Sequence, residues 1–112
     1  MSSPTVCALR SIALKVPDLS RAEAFYTDIW HLDVVSRTDQ TVYLRGTGAD
    51  HHLVALHAGG STPQVLHVTL RARSADALDA IAQAAVDAGG ALLQARAPAT
   101  DPAAGEHVIV RD

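Results

Sequence analysis

The sequence predicts an α+β domain in which two tandem βαβββ modules form one cup-shaped mixed sheet. Strand-period and helix-period stretches follow one another as β-α-β-β-β, a glycine-rich linker intervenes, and the order then begins again as β-α-β-β. The stretch Ser11-Ile12-Ala13-Leu14-Lys15-Val16 superposes by pattern on His67-Val68-Thr69-Leu70-Arg71-Ala72, and a Ser-initiated helix follows each, the second connection being two residues shorter. Finally, 112 residues with 48% hydrophobic and 19% charged side chains suffice for one domain around one core.

Each element has its own local reason. Residues 1–8 carry no clear period and read as a frayed leader. From Ser11 to Val16, Ile12, Leu14 and Val16 alternate with Ser11, Ala13 and Lys15, which is strand periodicity. Pro17-Asp18 stops that strand. Ser20 and Glu23 have the spacing of a capping box, and the helix they open runs to about Trp30 with Ala22, Phe25 and Ile29 on its inner face. Asp33–Arg37, Thr41–Arg45 and His52–His57 are β-prone runs, separated by the turns at 38–40 and 46–50. Gly59-Gly60-Ser61-Thr62-Pro63 is the linker. Val65–Ala72 is the next strand. Ser74 caps a helix striped by Leu78, Ile81, Ala82, Ala85 and Val86, and Gly89-Gly90 stops it. Ala91–Arg96 and Glu106–Arg111 are two further strands. Module one therefore covers about 9–58 and module two about 64–112. Module two is one strand short, so the chain is expected to be the amino-terminal part of a longer protein, or to receive that strand from a partner.

Composition narrows the function classes. Nine basic residues are scattered over a chain of net charge −3, without the basic, aromatic-interleaved cluster of a nucleic-acid surface. No apolar run approaches the ~18 residues of a membrane span, and the opening residues lack the pattern of a signal peptide. The single Cys7 has no internal disulfide partner. A cytoplasmic location is the expectation.

Local motifs point to a family. "SIALKVPDLSRAEAFYTDIWHLDVV", "VYLRG" followed by "DHHLVALHAG", "VLHVTLRARSADALDAI" and the closing "GEHVIVRD" occur in this order. Over roughly residues 9–112 the chain resembles the vicinal-oxygen-chelate superfamily of glyoxalases, bleomycin-resistance proteins and dioxygenases. Within it, the chain is most similar to the amino-terminal domain of extradiol ring-cleaving dioxygenases. One position departs: His31 stands where the family usually has Gly at the end of the first helix, and His tolerates the left-handed conformation there at some strain.

The resemblance also implies where metal ligands would lie. The first strand of each module and the last strand of each supply them in metal-binding members. Carried over by position, these are Ser11, a poor ligand; a place near Ala55, which has no donor; His67, which matches; and a fourth beyond Asp112. His67 is thus the one candidate metal ligand, with an ordinary hydrogen-bonded strand histidine as the plain alternative. Non-haem Fe(II) needs two histidines and a carboxylate, so no metal is expected within residues 1–112.

The other candidates have plain readings. His51 and His52 alternate along a strand and would point to opposite faces, and His57 would lie far along it from His51. Hydrogen-bonding or surface roles follow for all three. His107 and Glu106 would diverge likewise. Asp76 and Asp79 suit the dipole at a helix start. Ser11 has no visible His/Asp relay, and Cys7 no activating neighbour.

The leading function is the metal-free amino-terminal module of an extradiol dioxygenase. The whole enzyme would use Fe(II) as Lewis acid and template on a catechol-like substrate. One alternative is a metal-free, homodimeric small-molecule-binding protein of the bleomycin-resistance type. Another is a single-domain metalloenzyme of the glyoxalase or fosfomycin-resistance type. Packing against a second similar domain, or a homo-oligomer, is expected.

Overall fold

Alternation of apolar and polar residues makes the first strand, and it begins earlier than the pattern suggested. The computed structural model describes residues 6–48, 50–99 and 105–111. In it β1 spans Val6–Val16, so Val6–Ala8 belong to a strand rather than to a leader; residues 1–5 lie outside the described residues. The exposed Cys7 thiol donates to the Arg71 carbonyl at 3.5 Å. Two units are distinguishable, residues 9–70 and residues 71–112 together with 1–8.

In the first unit α1 (Leu19–Ala24) follows directly on the Pro17-Asp18 stop. The capping box does not form. Asp18 is extended (φ −124°, ψ 97°) and its carboxylate accepts from the Arg21 amide at 3.1 Å. Glu23 is instead drawn away to Arg37, whose guanidinium donates to it at 2.7 and 3.0 Å. Starting the helix at Leu19 turns Leu19, Ala22 and Tyr26 onto the core, leaving Phe25 and Ile29 exposed at 46% and 63%. Both triplets have helical spacing, so only the packing could choose between them.

The helix ends in a π turn over Phe25–Ile29. His31 then adopts φ 59°, the left-handed cap the sequence reading expected of it, and the Leu32 amide bonds back to the Tyr26 carbonyl at 3.0 Å. That closure is one residue wider than a Schellman cap, as the π turn requires.

β2 (Asp33–Arg37), β3 (Thr41–Arg45), β4 (Val54–Ala58) and β5 (Gln64–Ala72) complete a mixed five-stranded sheet ordered β2-β3-β4-β1-β5. β2–β3 and β3–β4 are antiparallel, while β4 runs parallel to β1 with Ile12 opposite Val54 and Leu14 opposite Leu56. The core lies between this sheet and α1. Val16, Val42, Leu44, Val54 and Leu56 are buried there, with Ile12, Leu14 and Leu32 packed around them.

In the second unit α2 (Ala75–Asp87) begins at Ser74, whose hydroxyl accepts from the Ala77 amide at 3.2 Å. Gly89 at φ 94° ends it, and the Gly90 amide closes on the Ala85 carbonyl at 2.8 Å. The helix covers an antiparallel pair, β6 (Ala91–Pro98) and β7 (Glu106–Arg111). The unit thus repeats the helix and antiparallel pair that α1, β2 and β3 form in module one. Among the described residues module two has no strand equivalent to β4.

Because the cap is Asp18 and not Ser20, Asp18→Ala should cost about 1 kcal/mol of unfolding free energy. Ser20→Ala should stay within about 0.5 kcal/mol. Paired urea denaturations of the two variants decide the point, and the reverse order would restore the capping box.

Candidate functional site

The sheet face opposite α1 is built of small residues in its middle and ring-bearing residues at its side. Pleating sends alternate residues to opposite faces, so the strands that pack Leu14, Leu44 and Leu56 against the helix turn Ala13, Tyr43 and Ala55 the other way. The register places Ala13, Ala55, Tyr43 and Ser36 in one row across β1, β4, β3 and β2. Lys15, His57 and Thr41 form the adjoining row. Ser11, Ala13 and Ala55 are buried.

Beside this floor the loop entering β4 brings three rings together. His51 Nδ1 and His52 Nδ1 lie 3.0 Å apart, and the Tyr43 ring stands 4.9 Å from the His52 ring and 6.1 Å from that of His51. His52 is only 1% exposed. At this spacing one Nδ1 must donate and the other accept, which fixes a different tautomer on each neutral ring. The arrangement can hold or hand on a single proton between the two nitrogens. Further along, His57 Nδ1 and Thr41 Oγ1 are 3.2 Å apart across paired strands.

The expectation that His51 and His52 face opposite ways is therefore corrected. It assumed a strand from His52, whereas β4 begins at Val54 and both histidines sit in the bend before it. The bend is held by the Leu53 amide on the Leu44 carbonyl at 2.7 Å and by the Ile12 amide on the Leu53 carbonyl at 2.9 Å. Tyr43 was not a candidate on sequence. Its place on the polar side of the "TVYLR" alternation, just before a turn-rich run ending in two histidines, was the available signal.

Ser11 and His67 lie on neighbouring strands, β1 and β5, but in different settings. Ser11 is buried at 5%, while His67 is an exposed strand residue. Ala55 presents only a methyl group. Fe(II) calls for two imidazoles and a carboxylate, and one hydroxyl, one methyl and one exposed imidazole do not fit it. No group of three or more His, Cys, Asp or Glu suited to a metal occurs among the described residues.

In the second unit the acidic residues serve structure. Arg96 Nη1 reaches Asp79 at 3.1 Å and Asp76 at 3.9 Å, and its Nε donates to Glu106. The hydrogen bond to Glu106, then that to Asp79, raises the guanidinium further above its already high pKa. Its charge is thus constant at any working pH. A depression of about 270 Å³ beside Gly89 and Gly90 is lined chiefly by alanines and Val110 and offers no reactive side chain apart from Arg111.

The sequence pattern that describes the Glyoxalase/Bleomycin resistance protein/Dioxygenase superfamily matches residues 8–112. No curated protein matches the chain significantly by sequence. Among solved structures, the Mn(II)-bound glyoxalase from Novosphingobium aromaticivorans superposes with TM-score 0.88 at 25% identity, over 95% of this chain and 35% of its own. A variant of homoprotocatechuate 2,3-dioxygenase from Brevibacterium fuscum gives 0.88 at 22% identity, over 98% and 30%. Another variant of that enzyme, in complex with HPCA, gives 0.85 at 22%, over 96% and 30%. The chain spans about a third of the length of these proteins.

The buried His52 should be a stability residue whatever else it does. His52→Ala is expected to lower the unfolding free energy by about 2–3 kcal/mol through the cavity and the unpaired His51 nitrogen. Exposed His67→Ala should remain within about 0.5 kcal/mol. Chemical denaturation of both variants tests this, and equal effects would contradict the burial described.

Proposed function

The chain belongs to the Glyoxalase/Bleomycin resistance protein/Dioxygenase superfamily, and from that premise we propose that it is the metal-free amino-terminal module of a longer, cytoplasmic extradiol-type dioxygenase. The observation that carries this reading is the chemistry of the ligand positions. Ser11 and Ala55 stand where metal-binding relatives would offer donors, and neither can hold Fe(II). A half that keeps the duplication but has lost the donors acts as scaffold. The structural relatives support it in a second way, being about three times as long as this chain. The Fe(II) of the whole enzyme would be held by residues outside 1–112, in a second, similar domain against which this one packs. Its substrate would be a small catechol-like aromatic.

A glyoxalase-like metalloenzyme is the second reading, favoured by the Mn(II)-bound glyoxalase among the relatives. It requires a metal that the donors named here would have to help retain.

Elemental analysis separates the two. The purified 112-residue chain, dialysed against a mild chelator, should contain far less than one Fe, Mn, Zn or Ni per chain, and His67→Ala should leave that content unchanged. A stoichiometric ion lost in His67→Ala would replace the scaffold reading with the metalloenzyme one. The product of the complete coding sequence, loaded with Fe(II), should open the ring of a catechol with consumption of oxygen. Retained iron without any such turnover would count against the dioxygenase.

A further inference from the structure

Lys15 and His57 are partners in the parallel pair β1–β4, each one residue before its strand ends. Partners on neighbouring strands send their side chains to the same face from backbones about 4.8 Å apart. Thr41 of β3 stands beyond His57 in the same row. All three residues are half-buried.

Lys15 and His57 each keep a donor that the described residues leave unused. The Lys15 ammonium makes no ion pair or hydrogen bond among them. This row and the adjoining row of Ala13, Ala55, Tyr43 and Ser36 contain no carboxylate, and Asp18, the first acid after β1, accepts from the Arg21 amide. His57 meets Thr41 Oγ1 through Nδ1 at 3.2 Å, and its Nε2 has no partner among the described residues. When the hydroxyl donates to Nδ1, the proton of the neutral ring sits on Nε2. Gly59 restrains the cation. It has φ 147°, and a Cβ there would stand 2.8 Å from Lys15 Cε and 3.7 Å from Cγ, so the lysine stem lies in the space the glycine leaves. A long side chain held in this way has given up rotamer freedom before any ligand arrives.

We propose that Lys15 and the Nε2 side of His57 form a binding site for the carboxylate of a small organic acid. The two oxygens of a carboxylate can accept from the ammonium and from Nε2–H together, and hydrogen bonds between charged partners are the stronger kind. Thr41 is a positioning residue: its hydroxyl holds the imidazole in the tautomer that presents Nε2–H. Ala13 and Ala55 are already buried, so the body of the acid projects away from the sheet. Selectivity therefore lies in charge rather than in the shape of the acid. The site works without a metal and does not depend on the dioxygenase reading.

The experiment titrates the 112-residue protein with sodium acetate at neutral pH and constant ionic strength, and reads the imidazole proton–nitrogen correlations of His57 and His67 by NMR. The His57 signals should move to saturation with a midpoint of about 1–10 mM, while those of the exposed His67 stay in place. Benzoate should bind within about threefold of acetate, since charge rather than shape is recognised. Lys15→Met keeps the stem over Gly59 and removes only the charge, and it should weaken binding at least about tenfold. Lys15→Arg, whose guanidinium also matches a carboxylate, should retain it. Thr41→Val should weaken binding and shift the His57 nitrogen resonances toward the Nδ1–H tautomer. A His57 response that stays linear throughout overturns the proposal. So does a response that Lys15→Met leaves unchanged, or one that His67 shares with the same midpoint.

Discussion

The parallel pairing of β1 with β4 is the constraint on which the first module depends. These strands are separated by a helix, a π turn and two further strands, so their register is closed late in sequence and binds both ends of the module together. A slip of one residue would exchange the faces of the whole strand. Val54 and Leu56 would leave the core, and Ala55 would enter it. The register therefore decides at once what lies under α1 and what is offered on the opposite face.

The same register explains the character of that opposite face. Ala13 and Ala55 sit side by side, and a floor of methyl groups can be buried without donors or acceptors to satisfy. Polar groups are displaced to the margins, where they find one another: His57 beside Thr41, and His51 beside His52 with Tyr43 packed on them. At its centre such a face presents methyl groups, and at its rim paired polar groups.

The two modules differ in how completely this plan is executed. In the first, α1, the sheet and the cap at His31 enclose five buried aliphatic residues. In the second unit Ala77 is the one buried residue of α2, and Arg96 of β6 links Asp79 of the helix to Glu106 of β7. Exposed ion pairs contribute little stability each.

The residue pattern by itself determined much of this protein. Alternation in Ser11–Val16, the β-prone runs Asp33–Arg37, Thr41–Arg45 and Glu106–Arg111, the Ser74 cap and the Gly89-Gly90 stop are local signals, and they act within a few residues of the elements they specify. The duplication and the family were legible for the same reason, being written in short motifs. What only the tertiary structure decided required partners distant in sequence. Asp18 became the cap because Glu23 was taken by Arg37, fourteen residues on. Tyr26 rather than Phe25 turned inward because Leu19 and Ala22 met the sheet. His51 and His52 came together because hydrogen bonds from β1 and β3 held the bend at Leu53, so that the strand starts after them. No period within the chain encodes those choices; they follow from which surfaces the folded sheet leaves available.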